Sequence, residues 1–198
     1  TSGLYSDKIT KMLGFNIQNK QTLPFRGEYF LLKPAYHYLV KNLIYPVPNP
    51  KLPFLGVHFT RMINGGIEAG PNAVLALARE GYKWSDIDLS ELTEAISYIG
   101  FQRFILKYPL ITFGEIIRSL SKEIFVKSLQ KLIPDINKDM IYRGSSGIRA
   151  QLMFPNGDLG QDFDIRKQGN LISVLNAPSP AATSSLSISE YIVKSLIN

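Results

Sequence analysis

Asp88-Leu89-Ser90-Glu91-Leu92-Thr93-Glu94-Ala95-Ile96-Ser97-Tyr98-Ile99 is the stretch at which the apolar period of this chain changes. Leu89, Leu92, Ala95, Ile96 and Ile99 recur at helical spacing and form one stripe. Phe113, Ile116, Ile117, Leu120, Ile124 and Leu132 form a second stripe, on a longer helix that ends before Pro134. Two helical segments over residues 88–134 follow, packed as a layer against a sheet. On either side the pattern is that of strands, so the order is strands, helices, strands and a last helix. That order predicts an α+β fold with a mixed or antiparallel sheet and a helical layer.

Working outward toward the start, Leu23 to Leu32 is aromatic and aliphatic and closes at Pro34, which predicts a strand. Tyr38 to Val47 reads as another, and Pro46-Val47-Pro48-Asn49-Pro50 as an extended connection. Phe54 to Thr60 is a strand with Leu55, Val57 and Phe59 on one face and Gly56, His58 and Thr60 on the other. Asn64-Gly65 supplies a hairpin turn into Gly66 to Gly70. A short helix near the start is capped by Ser6 or Asp7 and ended by Gly14. Toward the end, Pro155-Asn156-Gly157-Asp158 is a hairpin turn and Leu171 to Leu175 a short buried strand. A final amphipathic helix carries Leu186, Ile188, Tyr191, Ile192 and Leu196.

A chain of 198 residues can bury a core as one domain or two small lobes. It has no cysteine, which excludes disulfides, a thiolate nucleophile and Cys-ligated metal. With His37 and His58 the only histidines, no metal site is expected. The net charge of +6 comes from scattered Lys and Arg without a basic run, which argues against nucleic acid and leaves anionic substrates or an anionic membrane surface. No apolar stretch approaches the roughly 20 residues of a spanning helix, and no secretory leader is expected at Thr1. A cytoplasmic chain is expected, with peripheral association at the inner membrane surface left open.

Arg149 follows the loop Gly144-Ser145-Ser146-Gly147 in a stretch of small and apolar residues. Its planar fork suits a carboxylate held by two parallel hydrogen bonds. An internal salt bridge to Asp162 or Asp164 serves the spacing equally. Asn176-Ala177-Pro178-Ser179-Pro180-Ala181-Ala182-Thr183-Ser184-Ser185 places small residues before a helix, where backbone N–H groups can approach a negatively polarised group. A simple capped helix start explains it as well. His58 is a candidate general base or a half-exposed strand histidine. Arg26 is a second anion contact or a partner of Glu28, and Tyr45 a pocket wall or plain core. No Gly-x-Gly-x-x-Gly follows a buried strand, so the usual dinucleotide grip is absent.

Taken together, these segments resemble the L-2-hydroxyglutarate dehydrogenase/oxidase family, among the FAD-dependent oxidoreductases related to D-amino-acid oxidase. The resemblance runs through Gly3-Leu4-Tyr5-Ser6-Asp7, Pro24-Phe25-Arg26-Gly27-Glu28-Tyr29, Ile44-Tyr45-Pro46-Val47-Pro48 and Pro53-Phe54-Leu55-Gly56-Val57-His58-Phe59-Thr60. It continues through Gly70-Pro71-Asn72-Ala73-Val74-Leu75-Ala76, Arg79-Glu80-Gly81-Tyr82, Gly147-Ile148-Arg149-Ala150-Gln151 and Asn176 to Thr183. It implies FAD-linked oxidation of L-2-hydroxyglutarate to 2-oxoglutarate. Arg149 then binds the substrate carboxylate, His58 takes the hydroxyl proton, Tyr45 lines the pocket, and Arg26 or Arg61 meets the distal carboxylate. Gly3, Leu4, Gly147, Pro178, Ser179, Pro180, Ala181, Ala182 and Thr183 contact the flavin.

Members of the family carry about as many residues again before the segment that matches Gly3-Leu4-Tyr5. The resemblance therefore implies a remnant of the FAD-binding domain over 1–20, a substrate-binding domain over 21–142, and strands and a helix returning to the FAD domain over 143–198. A separate N-terminal FAD-binding half is the implied protein partner. The competing reading is a non-catalytic fragment that binds at most a dicarboxylate or a partner protein.

Overall fold

β1 (Gln21–Leu32) is the strand on which the sheet is assembled. The computed structural model describes residues 3–47, 56–179 and 181–197. The fold is α+β, and the chain divides into two units. One holds Thr1–Pro24, Asp88–Lys107 and Ala150–Asn198, and the other holds Phe25–Ile87 and Tyr108–Arg149.

In the unit formed by Phe25–Ile87 and Tyr108–Arg149, β2 (His58–Arg61), β3 (Ile67–Gly70), β1 and β4 (Val74–Leu75) lie in that order, and β5 (Ile141–Met153) also pairs with β1. β3 meets the later part of β1, with Phe30 opposite Ala69, and β4 the earlier part, with Phe25 opposite Leu75, both antiparallel. Asn64-Gly65 makes the turn between β2 and β3 as expected. Met62 N donates to Gly66 O at 2.8 Å, and Gly65 takes a φ of 90°, a left-handed value that costs glycine little. Apolar alternation turns Phe30, Leu32, Phe59, Ile67 and Ala69 into one core, where Phe125, Val126 and Leu129 of a helix meet them. Residues 54 and 55 of the expected strand, and Pro48-Asn49-Pro50 of the expected connection, lie outside the described residues.

Several expectations are corrected. Tyr38 to Val47 is not a strand: Pro34–Leu39 forms a 3-10 turn, and only Ile44 pairs, with Phe59. Proline at the start of a helical turn has no N–H to lose there, so Pro34 opens a turn instead of merely ending β1. The helical region comprises four helices: α2 (Leu89–Ser97), α3 (Ile99–Lys107), α4 (Pro109–Leu120) and α5 (Lys122–Leu129). Pro109 starts α4, and Ser121, in extended geometry, caps α5 by accepting from Ile124 N. That break resets the helical phase, so Phe125, Val126 and Leu129 enter the core while Phe113, Ile117, Leu120 and Ile124 are exposed. In the first stripe likewise, Ala95 is buried but Leu89, Ile96 and Ile99 are exposed.

In the other unit, α1 (Ser6–Met12) packs on β7 (Leu171–Asn176), which pairs antiparallel with β6 (Asp164–Gln168). Ser6 and Asp7 do not cap α1. Both are buried: the Ser6 hydroxyl donates to Leu175 O at 3.0 Å, and Asp7 Oδ2 accepts from Thr22 N at 3.1 Å. Thr10 and Ser173 share a hydroxyl contact of 2.6 Å, so α1 is tied to β7 by polar groups beside the small core of Ile17, Leu152 and Leu175. The Pro155–Asp158 turn closes with Phe154 N donating to Asp158 O at 2.9 Å. In β7, Ser173, Leu175 and Asn176 are buried, whereas Leu171 is exposed. α6 (Ser185–Ile197) shows Leu186 and Tyr191 to solvent.

Candidate active site

A cavity of about 230 Å³ opens on the sheet of the Phe25–Arg149 unit, and alternation along β1 decides what lines it. Phe25, Gly27 and Tyr29 share one face of the strand and reach the cavity, whereas Arg26 turns the other way. Gly27 is required by packing: a Cβ there would stand 2.8 Å from Pro71 Cβ. The segment that crosses it carries Asn72, whose Oδ1 accepts from Glu28 N at 2.7 Å and whose Nδ2 donates to Glu28 Oε2 at 2.9 Å. Asn72 thus stitches the gap between β3 and β4 and forms one wall.

His58 and Arg149 both line this cavity, one from the start of β2 and the other from β5, together with Gly147. The Nδ1 of His58 lies 3.1 Å from Gly56 O, and a carbonyl can only accept, so Nδ1 carries the proton and Nε2 the lone pair. Burial, with a smaller push from the Arg149 charge, holds the imidazole below its ordinary pKa against the opposing effect of the Gly56 bond. The ring is therefore neutral at neutral pH. Tyr45 stacks on it with centroids 4.3 Å apart. Among the described residues no hydrogen bond or ion pair engages Arg149. Of the two carboxylates considered for it, Asp162 and Asp164, the second is held by Lys20 at 2.8 Å and Arg166 at 2.7 Å.

Tyr29, which sequence reasoning missed, is a further polar side chain of the cavity beside Asn72; its alternation with Gly27 in a predicted strand is the signal that could have found it. Burial and then the Glu68 charge raise its pKa, so the phenol stays a protonated donor.

The remaining candidates are dispersed. Arg26 is fully buried, with Nε 3.2 Å from Glu28 Oε1, Nη1 donating to Gly81 O at 3.3 Å, and its guanidinium 4.5 Å from the Trp84 ring. It takes the local role with Glu28 and does not line the cavity. Arg61 alternates away from His58 and donates to Val40 O at 2.9 Å. Gly3 and Leu4 form a 3-10 turn in the other unit. In that unit, Ala181 N donates to Pro178 O at 3.0 Å, with Ser179 between them and Ala182 and Thr183 in the turns before Ser185. Pro180 lies outside the described residues.

The model of the FAD dependent oxidoreductase family matches residues 1–195. The chain belongs to that family. Within it, the chain is similar to the L-2-hydroxyglutarate dehydrogenase of Indibacter alkaliphilus, at 56% identity over 94% of this chain and 47% of that protein. It is 44% identical to the mitochondrial L-2-hydroxyglutarate dehydrogenase of Mus musculus, over 98% of this chain and 42% of that protein. The Escherichia coli K12 L-2-hydroxyglutarate dehydrogenase is 42% identical over 97% of this chain and 45% of that protein. The chain thus spans less than half the length of these relatives.

For a member of an FAD-dependent family, the donor set is partial. No Gly-x-Gly-x-x-Gly loop occurs in the sequence, so these residues do not form the usual pyrophosphate cradle. Gly147 leaves its side of the cavity open, since a Cβ there would meet nothing within 4 Å. Among the described residues no helix is long and apolar enough to cross a membrane, and no group of three or more acids and histidines could hold a metal ion.

Proposed function

We propose that the chain is the substrate-binding and C-terminal part of an FAD-dependent oxidoreductase that oxidises L-2-hydroxyglutarate to 2-oxoglutarate. The observation that carries this reading is the meeting of an unpaired guanidinium, Arg149, and a neutral imidazole, His58, on one cavity. Oxidation of a 2-hydroxy acid removes the proton from the hydroxyl oxygen and a hydride from the carbon that bears it. Taking up that hydride is the chemistry FAD supplies in the family. The carboxylate binds the Arg149 fork through two parallel hydrogen bonds. His58 Nε2 takes the hydroxyl proton, its orientation set by Gly56 O and its plane by Tyr45. The Tyr29 phenol donates to the same anion.

Neither Arg26 nor Arg61 is assigned a carboxylate, because one is buried against Glu28 and the other is spent on Val40 O. Gly3, Leu4, Gly147 and Pro178 to Thr183 take the flavin-side contacts, and the pyrophosphate grip comes from residues outside this chain. Segments 1–20 and 143–198 then belong with the FAD domain and 21–142 with the substrate.

The test uses the FAD-loaded protein that carries this chain. L-2-hydroxyglutarate should bleach the flavin absorbance and yield 2-oxoglutarate. His58→Gln should stop the bleaching while calorimetry still finds 2-oxoglutarate binding, and Arg149→Met should lose both. Absence of bleaching and of binding in the parent protein rejects the proposal. Binding without bleaching favours the second reading, a dicarboxylate-binding fragment, which the missing pyrophosphate loop motivates.

A further inference from the structure

Trp84, the single tryptophan of the chain, stands on a second cavity of about 620 Å³. Its floor is the Glu28-Tyr29-Phe30 run of β1, where Glu28 and Phe30 alternate to the face opposite Gly27 and Tyr29 borders this cavity as well as the first. One wall is the 82–85 loop and the other is Arg143 to Ser146 of β5. Two internal bonds fix these walls before any ligand arrives. Ser146 donates to Tyr82 O at 2.6 Å, and Trp84 Nε1 donates to Ser119 Oγ at 2.9 Å. A site held ready in this way loses little entropy on binding.

The charge of the cavity is one-sided. Lys83 and Arg143 both line it, and among the described residues neither is paired with a carboxylate. Arg143 makes one long hydrogen bond, from Nη2 to Ser119 O at 3.5 Å, and its guanidinium lies 5.9 Å from the Phe30 ring. Glu28 is the one acid of the lining, and its carboxylate is already spent. It accepts from Arg26 Nε at 3.2 Å, from Asn72 Nδ2 at 2.9 Å and from the Ser119 hydroxyl. Two uncompensated cations, the Ser145 hydroxyl and the rings of Tyr82 and Trp84 therefore surround a hollow of ligand size. Such a lining selects a flat ring that carries an oxyanion, with the cations gripping the charge and the aromatic walls covering the ring.

We propose that this second cavity binds a planar organic anion, an aromatic phosphate ester or carboxylate, held by Arg143 and Lys83 against Trp84 and Tyr82. Tyr29 borders both cavities, but the proposal does not rest on the oxidation assigned to the first, and its failure would leave that assignment standing.

Trp84 is the one tryptophan of these 198 residues, so emission from this chain reads the cavity directly. AMP and benzoate serve as probes of the two oxyanion sources, with adenosine and inorganic phosphate as controls. At least one of AMP and benzoate should change the emission saturably at about 1 mM or below. AMP, if it is the binder, should exceed adenosine by about tenfold or more, the usual margin for a charge-assisted contact. Lys83→Met with Arg143→Met should weaken binding by about tenfold or more, whereas Arg149→Met should leave it unchanged. Both replaced side chains are exposed, and an unaltered emission maximum in the ligand-free variants checks that the loop is intact. The proposal is overturned if neither probe saturates below about 10 mM. It is also overturned if adenosine binds as tightly as AMP, or if the double replacement leaves affinity intact.

Discussion

The imidazole of His58 lies on the phenol ring of Tyr45, with centroids 4.3 Å apart and planes inclined by 21°, while His58 Nδ1 is tied to Gly56 O at 3.1 Å. The stack fixes the ring plane and the carbonyl fixes the tautomer. Nε2 is left as the basic atom on a ring whose pKa burial has lowered. The NMR titration midpoint of His58 is therefore expected below the ordinary 6.5, and Tyr45→Ala, which admits water, should move it upward. The folded-state value is the depressed one. Its contribution to stability is thus present in full above pH 6.5 and lost as pH falls through the lower folded value. A midpoint at or above 6.5 in the parent protein contradicts this account.

Arg149 should act on both substrate and base. Arg149→Lys replaces a fork by a point charge and is expected to raise KM for L-2-hydroxyglutarate by about tenfold or more, with a smaller change in kcat. Arg149→Met removes one of the influences that lower the His58 pKa, so the same NMR titration should shift upward. An unchanged KM in the lysine variant would remove Arg149 from the substrate contact.

How far the sequence speaks depends on whether a residue's role is local. Val57, Phe59 and His58 alternate as the strand pattern requires, and Asn64-Gly65 turns where its backbone preference says, because both are decided within a few residues. Arg26 and Arg61 illustrate the limit. Each sits in a plausible anion-binding stretch, yet alternation turns Arg26 away from the cavity and Arg61 away from His58. The helical stripes fail for another reason. Period alone does not register that Ser121 adopts extended backbone and restarts the helix, so the apolar face of α4 and that of α5 are out of phase. Asn72 needed the tertiary approach of the 71–73 segment to β1 before it could be seen.

The phase break makes a stability contrast measurable by urea unfolding. Leu129→Ala removes a fully buried side chain and is expected to cost about 2–5 kcal/mol. Phe113→Ser and Leu110→Ser lie on the exposed face of α4 and should change stability by roughly 0.5 kcal/mol or less. A large loss for either α4 variant would show that this face is covered in solution.

Arg26 and Glu28 should respond asymmetrically. Glu28→Ala leaves a fully buried guanidinium without its ion partner and is expected to cost about 3 kcal/mol or more. Arg26→Met removes a cation whose Nη2 already has no hydrogen-bond partner, and Asn72 and Ser119 still donate to the Glu28 carboxylate. Its loss should be the smaller of the two by about 1 kcal/mol or more. Equal losses in chemical denaturation would argue against a strained pair.

In the other unit, the Asp164 carboxylate is held by Arg166, two residues on, and by Lys20, 144 residues earlier. Arg166 grips it with Nε at 2.7 Å and Nη2 at 2.9 Å, Lys20 adds Nζ at 2.8 Å, and Arg166 also donates to Asn16 O. The Arg166 hydrogen bonds, then that of Lys20, hold the Asp164 carboxyl below its usual pKa against the effect of burial. A depressed folded-state value means that the stabilisation is present above the ordinary carboxylate pKa and disappears as pH falls through the lower one. Asp164→Asn is therefore expected to cost about 1–3 kcal/mol at pH 7, and the deficit should shrink below about pH 4. Lys194→Ala breaks the exposed Lys194–Glu190 pair on α6 and should cost less than about 0.5 kcal/mol at either pH. A pH-independent deficit for Asp164→Asn would mean that packing, not the charge, is what Asp164 contributes.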